Sequence, residues 1–234
     1  MMANESLQEC LNLARARLNP SLTNPNYLVL SRRQQLISNW VQKLPGQEWH
    51  VLDIGGRYQP YRPLVESKTK SYIALDIIQT PLVDVIGRGE SLPFAKETFN
   101  LVIATQVFEY FPNPHLAASE MHRILKSGGI LIMSVAAVAP RFVDEECWRY
   151  LPAGLRSLLS MFSSAEIVPE VRSVGSFFRY LNLSFILFAK NKWLQQGLRY
   201  TLIPVLNVVG IQLEAVLNSQ NDQMAANYSV LARK

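Results

Sequence analysis

A doubly wound α/β fold, with a seven-stranded, mostly parallel sheet and helices on both faces, is what this 234-residue sequence predicts. Two observations carry the prediction. From residue 50 onward, short continuous apolar runs alternate with helical stretches, and each run closes in turn-forming residues. Continuous rather than alternating runs suit strands buried on both faces, and the strand–helix alternation suits right-handed crossovers. A composition of 49% hydrophobic and 18% charged residues is rich enough for one full-sized core and argues against disorder.

The elements follow in order. Leu7, Cys10, Leu11, Ala14 and Leu18 share one helical face, with Asn4 or Ser6 as the cap and Asn19-Pro20 as the stop. A second helix is predicted over 27–44, where Leu36, Ile37, Trp40, Val41 and Leu44 repeat at helical spacing before Pro45-Gly46 breaks the pattern. Strands are predicted at 50–54, 71–76, 83–86, 101–105 and 130–135, with a helix over 115–125 stopped by Ser127-Gly128-Gly129. The stretches 165–171 and 227–233 read as sixth and seventh strands. Between them lies an apolar segment, 177–217, interrupted by Gly197 and Pro204. In its second half Asn207, Gly210, Glu214 and Asn218 form a narrow polar stripe. With no internal repeat or linker, one domain is expected. It comprises N-terminal helices over 1–48, a core over 49–175, an apolar helical cap or insertion over 176–226 and a last strand over 227–234.

Charge and composition narrow the function. The net charge of +5 comes from scattered Lys and Arg, so a solvated basic surface is expected and nucleic acid is not. Cys10 and Cys147 stand far apart without a CxxC spacing, which fits a reducing, cytoplasmic setting. The three histidines, His50, His115 and His122, have no ligand spacing, so no metal site is expected. The first residues carry acids among short apolar positions and do not read as a secretory signal.

Four segments carry chemistry. In VLDIGGRYQPY (51–61) a buried strand ends in an acid followed by two glycines, which permit a tight turn and close approach of a ligand to the backbone. Tyr72-Ile-Ala-Leu-Asp76 puts a carboxylate at the end of the next strand, 23 residues after Asp53. That is the offset at which an acid reads the hydroxyls of a ribose; the same residue is as readily a helix cap. GRGESLPFAKETFNLVIATQVFEYF (87–111) and EMHRILKSGGILIMSV (120–135) follow in order.

Together these segments resemble the class I S-adenosylmethionine-dependent methyltransferases, in particular their broad type 11 subgroup, over roughly residues 50–171 and again at the terminal NYSVLARK. The resemblance implies a Rossmann-like class I methyltransferase fold with S-adenosylmethionine as cofactor. It assigns Asp53, Gly55 and Gly56 to the methionine end, Asp76 to the ribose, Gly89 and Glu90 to the flanks of the adenine, and Thr105 and Gln106 to the floor. The chain departs from the family pattern at four places. Arg57 to Tyr61 replaces the third glycine, Arg88 stands where an acid is usual, Asn100 replaces a common Asp, and Tyr110 replaces a common His.

Methyl transfer from a sulfonium needs alignment and exclusion of water, with a base only where the acceptor must lose a proton. Tyr110, His115 and Glu109, just beyond the fourth strand, are the candidates for that role. His115 reads first as a residue of a helix's opening turn, and Tyr110 as a pocket wall. Trp148 and Tyr150, in CWRYLPAGLRSLL (147–159), resemble a segment of bacterial methyltransferases that act on polysaccharides and glycolipids; they would stack on an acceptor or pack on the sheet. The expected partner is therefore a sugar, glycolipid or small metabolite methylated on oxygen. A catalytically degenerate binding or regulatory protein is the alternative. A nicotinamide or nucleotide-sugar enzyme would need a fuller glycine turn. The segment 177–217 admits a buried apolar cap, a homodimer surface, or a peripheral helix resting on a membrane. Pro204, Asn207 and Glu214 argue against a bilayer span, and the buried cap is the expectation.

Overall fold

The computed structural model describes residues 5–217 and 220–234. Seven strands form one sheet in the order β3-β2-β1-β4-β5-β7-β6. They are β1 (Trp49–Ile54), β2 (Thr69–Asp76), β3 (Val85–Ile86), β4 (Phe99–Thr105), β5 (Leu125–Ala136), β6 (Ser164–Pro169) and β7 (Asn227–Arg233). β1 to β5 run parallel, while β7 inserts antiparallel between β5 and β6. All seven predicted strands are present; the third is cut to two residues because the chain turns over Thr80–Val83, and at Asp84 the side chain, not the backbone carbonyl, accepts the Ala74 amide.

The two faces of the sheet are read from strand parity. Val51, Leu101, Ile103, Ile130 and Ile132 point to one face, where α2 (Tyr27–Lys43) lays down Leu36, Ile37, Trp40 and Val41. Leu52, Ile54, Val102, Ala104 and Leu131 point to the other, against α4 (Pro114–Ile124) and α5 (Pro152–Leu158). Period-2 alternation in strands covered on both sides makes every residue a core residue, which is why the runs are continuous in apolar character. A single helical turn, α3 (Arg62–Val65), closes the chain after β1.

Three expectations change. The first helix, α1 (Leu7–Leu18), is closed by a capping box in which Ser6 and Glu9 exchange hydrogen bonds; Asn4, the other proposed cap, lies outside the described residues. Of its apolar face only Cys10 is buried, and Leu7 and Leu11 face solvent, because the helix meets the body along one narrow line. The helix before β5 ends at Ile124. Leu125 is already extended, and Ser127-Gly128-Gly129 forms an irregularity between two strand segments, with register slipping from Phe99↔Leu125 to Leu101↔Ile130. Gly128 sits at φ +71° there.

The third change concerns 177–217. It folds as α6 (Ser173–Phe188), α7 (Lys192–Tyr200) and α8 (Leu202–Leu217), all between β6 and β7. These helices do not form the expected buried cap. α6 buries Gly175, Ser176, Arg179, Asn182 and Leu183, and α8 buries Ile203, Asn207 and Gly210. Their polar stripes turn inward, and most of the large apolar side chains remain outside. Of the predicted stripe in α8, Asn207 and Gly210 face the body, Glu214 is half-buried, and Asn218 lies outside the described residues.

Candidate active site

The sheet order reverses between β1 and β4, so their carboxyl ends diverge and leave a crevice, the usual binding place in open α/β sheets. β1 delivers Asp53, Gly55 and Gly56 to this edge. Gly55 takes φ +76°, and a Cβ on it would lie 3.1 Å from the Val107 side chain. A Cβ on Gly56 would lie 2.8 Å from the Asp53 carbonyl oxygen. Both amides donate to the Leu75 carbonyl, at 2.8 and 3.2 Å, which ties the turn to the end of β2. Glycine is thus demanded at both positions by the turn itself.

Asp53 is buried, and the Tyr72 hydroxyl donates to its Oδ2 at 2.6 Å. Burial pushes its carboxyl up to about 7; the Tyr72 hydrogen bond opposes the rise and the nearby Asp76 adds to it. An acid whose folded-state pKa lies above its unfolded value stabilises the fold most below about pH 4, and that contribution is lost as pH rises toward 7. Urea midpoints of the chain are therefore expected to fall between about pH 4 and 7, and Asp53→Asn to flatten the fall. An equal slope in the variant would locate the titrating group elsewhere.

Asp76, at the end of β2, is also buried, and its Oδ1 accepts the Ile78 amide at 2.9 Å. No helix follows Asp76, so it is not a helix cap; Oδ1 holds the turn after β2, and no hydrogen bond engages Oδ2 among the described residues. The loop after Gly56 folds back on itself. Gln59, at φ +51°, donates to the Leu82 carbonyl, and Thr80 donates to the Arg57 carbonyl at 3.1 Å. The Arg57 Nε is buried without a partner. An orphaned cationic donor beside a two-glycine turn fits a ligand carboxylate.

α1 lies over this loop. The Tyr58 hydroxyl donates to Glu5 at 2.8 Å, and the Arg17 guanidinium stands 4.6 Å from the Tyr58 ring centre. On the next loop, a Cβ on Gly89 would lie 2.5 Å from the Phe111 ring, so Phe111 is the immediate reason for glycine at that position. Glu90 stands beside it, half-buried, and Arg88 is exposed. Leu92-Pro93-Phe94 is held by the following signature: Arg123 donates to the carbonyls of Phe94 (2.9 Å) and Leu92 (3.1 Å), and the Leu92 amide donates to Glu120 at 3.0 Å. The Glu-x-x-Arg of 120–123 is a clamp on the Leu92–Phe94 loop, a role invisible in the sequence.

β4 ends in Thr105 and Gln106. Gln106 sits at φ +54°, and its amide and side chain donate to the carbonyl (2.7 Å) and hydroxyl (3.0 Å) of Ser134 at the end of β5. Behind it lies a buried polar network that sequence reasoning missed. Arg33 of α2 makes a bidentate pair with Glu170 at 2.6 and 2.9 Å. The hydroxyls of Ser134 and Ser229 donate to the same Glu170 oxygen at 2.5 and 2.8 Å. Turned so that its amide oxygen faces Arg33, Asn227 would accept from the guanidinium at 2.8 Å. Burial works against the Arg33 charge, and Glu170 overrides it, so the guanidinium is held above its ordinary pKa.

The candidates beyond β4 separate. Glu109 is buried, its Oε1 accepts the Ala136 amide, and its Oε2 has no partner. Burial pushes its carboxyl up to about 7 against the Ala136 hydrogen bond. Tyr110 is exposed, with its hydroxyl 3.4 Å from Glu146, and burial of its inner side with the neighbouring acids raises its pKa. His115 is exposed in the first turn of α4, which Asn113 caps and Pro114 opens. Tyr150 is buried, and its hydroxyl donates to the Phe108 carbonyl at 2.9 Å. Trp148 is 43% exposed and donates to the Phe111 carbonyl at 2.8 Å. The amides of Cys147 and Trp148 both donate to the Glu109 carbonyl, which ties their loop across the end of β4.

A family model described as a methyltransferase domain matches residues 52–133, the stretch from β1 to β5. The chain is 36% identical over 132 residues to the rice (Oryza sativa subsp. japonica) chloroplastic 2-methyl-6-phytyl-1,4-hydroquinone methyltransferase 2. That match covers 55% of this chain and 33% of the rice protein, so the chain spans about a third of that relative's length. Among solved structures, a methyltransferase dependent on S-adenosylmethionine from Archaeoglobus fulgidus superposes with a TM-score of 0.53 at 14% identity, covering 95% of this chain and 99% of the other. The [4+2]-cyclase SpnF superposes with a TM-score of 0.54 at 16% identity, covering 100% and 97%. At these identities the structural likeness concerns the fold, and one fold serves more than one chemistry.

Proposed function

We propose that the chain is a class I S-adenosylmethionine-dependent methyltransferase that transfers a methyl group from that cofactor to a small-molecule acceptor, a reading supported by the methyltransferase-domain match over residues 52–133. The observation that carries the reading is the buried Asp76 carboxylate, with Oδ2 unengaged, set beside the Gly55–Gly56 turn at the reversal of strand order within the matched stretch. In this reading Asp53, Gly55, Gly56 and the orphaned Arg57 Nε hold the amino-acid end of the cofactor. Asp76 holds the ribose, Gly89 and Glu90 flank the adenine, and Thr105 with Gln106 form the floor. Bound there, S-adenosylmethionine supplies an electrophilic methyl group. The protein's part is to align the acceptor and to keep water out.

For the acceptor we infer an amphiphilic hydroxyl compound: a glycolipid, a sugar derivative or a small metabolite. Two observations favour the lipophilic end of that range. The loop over the acceptor side of the crevice exposes Val138, Phe142, Val143, Trp148 and Leu151, and the rice relative is named for a hydroquinone that carries a phytyl chain. Trp148 is the side chain placed to cover such an acceptor, whereas Tyr150 packs beneath it. Glu109 is the group best suited to take the hydroxyl proton, because Oε2 is unpaired and its pKa is near neutrality. Tyr110, protonated at neutral pH, serves as a wall.

Calorimetric titration with S-adenosylmethionine and transfer of its labelled methyl group to a panel of hydroxylated lipids, sugars and quinols test the reading. Saturable binding and label transfer are expected, with Glu109→Gln lowering kcat by about a hundredfold at little change in KM. Absence of binding at millimolar cofactor overturns the enzyme reading. The exposed Arg88, and Phe111 filling the space against Gly89, favour one second reading, a binding protein on this fold. Binding without transfer to any acceptor would select it.

A further inference from the structure

The helical insertion between β6 and β7 is built inside out. On α6 the inward positions are Ser176, Arg179 and Asn182, and on α8 Asn207. Most of these polar groups bond one another or the adjoining loop, while Arg179 Nη1 and Asn182 Oδ1 are buried without a partner. Asn182 donates to Asn207 at 2.9 Å, Asn207 donates to the Leu22 and Asn24 carbonyls at 2.7 and 3.1 Å, and Arg179 donates to Asn26 at 2.9 Å. Outward, Phe188 is 80% exposed, Trp193 85%, Tyr200 74% and Val216 79%. An 18-residue window of the helical stretch Lys192–Leu217 has a mean hydropathy of 1.6, and 17% of that window is buried.

A water-facing surface of this kind is costly, since exposed contiguous apolar patches mark a missing partner. The chemistry of the partner follows from the charges. Glu214 is the single acid in 173–217, and its carboxylate is taken up by the Gly175 amide at 2.7 Å and the Arg172 amide at 3.3 Å. The exposed charges of the insertion are all basic: Lys190, Lys192 and Arg199. They interleave with Trp193 and Tyr200, side chains with an apolar body and a polar edge that suit the headgroup level of a bilayer. Lys192–Leu217 has the length to cross a hydrocarbon core of about 30 Å, but Thr201 divides it into α7 and α8, and α8 is held against the body of the protein by the buried Ile203, Asn207 and Gly210.

We propose that α6, α7 and α8 form a monotopic dock that lies in the surface of an anionic phospholipid membrane, with Lys190, Lys192 and Arg199 at the headgroups and Phe188 and Trp193 below them. The Tyr180 hydroxyl donates to the Val138 carbonyl, joining α6 to the apolar loop beside the crevice. The docked face and the acceptor side of the site are therefore continuous, and a lipid-dissolved acceptor has a dry route between them. The dock itself does not depend on the reaction proposed above.

Flotation of the full chain with vesicles tests it. Partition onto vesicles containing about a third phosphatidylglycerol is expected to exceed partition onto pure phosphatidylcholine and to weaken in 1 M salt. With roughly a fivefold contribution from each basic side chain at the surface, the triple variant Lys190→Gln, Lys192→Gln, Arg199→Gln should bind anionic vesicles about a hundredfold more weakly. The pair Phe188→Asp and Trp193→Asp should remove binding while circular dichroism and the thermal midpoint stay those of the parent. Folded parent chain that fails to float on anionic vesicles overturns the proposal, as does equal flotation of both variants. A dimer in sedimentation velocity that is indifferent to vesicles and dispersed by the Phe188→Asp, Trp193→Asp pair would assign the face to a second copy instead, and likewise overturns it.

Discussion

Arg33→Met is expected to destabilise the chain by about 3–5 kcal/mol, the largest stability effect of any single substitution proposed for it. The size follows from what remains behind. Glu170 is 1% exposed and receives two guanidinium hydrogen bonds from Arg33. Without them, two serine hydroxyls and no positive charge hold a buried carboxylate. A domain of this size has only about 5–15 kcal/mol of stability in total, so the variant should unfold at a much lower urea concentration with an unchanged slope. Removing both partners, Arg33→Met with Glu170→Leu, should recover more than half of the loss, because no unpaired charge is then buried. If the double variant is as unstable as the sum of the single ones, the pair does not act as a unit.

The second large effect is on ligand affinity. Asp76→Asn should weaken S-adenosylmethionine by about a hundredfold, the scale of two hydrogen bonds from ribose hydroxyls to a charged acceptor. An amide oriented with its oxygen toward Ile78 keeps the 2.9 Å hydrogen bond and presents an NH2 group where the ribose needs an acceptor. Stability should stay within about 0.5 kcal/mol of the parent. Calorimetric titration alongside urea denaturation checks both halves. Unchanged affinity would move the ribose away from β2. The Gly55→Val substitution is a poorer probe: Gly55 sits at φ +76°, with the space for a Cβ already 3.1 Å from Val107. A valine there strains the turn whether or not a ligand approaches it.

The sheet was legible because each strand is a doubly covered core element, so Leu52 and Val102 on one face and Val51 and Leu101 on the other all had to be apolar. The direction of helix faces was not legible in the same way. Apolar residues in α6 and α8 outnumber polar ones, and periodicity alone makes the apolar side the inside. Here the inside is set by Arg179 and Asn207 finding partners on α2's approach, 22–26, more than 150 residues away in sequence for Arg179 and Asn26, with Asn182 bonded to Asn207. Glu170 is similarly silent: an ordinary acid after a strand, whose partner lies 137 residues earlier. In the site, Asp53 and Asp76 announced themselves by ending apolar runs. Gly89 was read as room for adenine, but its neighbour Phe111 emerges from the tertiary packing. Arg57 became notable only once its Nε was seen to be buried and unpaired.

The antiparallel last strand has a consequence for how the chain is made. β6 pairs with β7 alone, and β7 also closes the open side of β5. Between them the ribosome must deliver residues 170–226, including the whole apolar insertion, which takes about 3–10 s at ordinary elongation rates. Throughout that interval β5 presents a bare hydrogen-bonding edge and β6 has no sheet to join. Nascent chains paused in this window are exposed to edge-to-edge association, and a membrane or chaperone that shelters α6 to α8 as they emerge would guard the unfinished sheet as well.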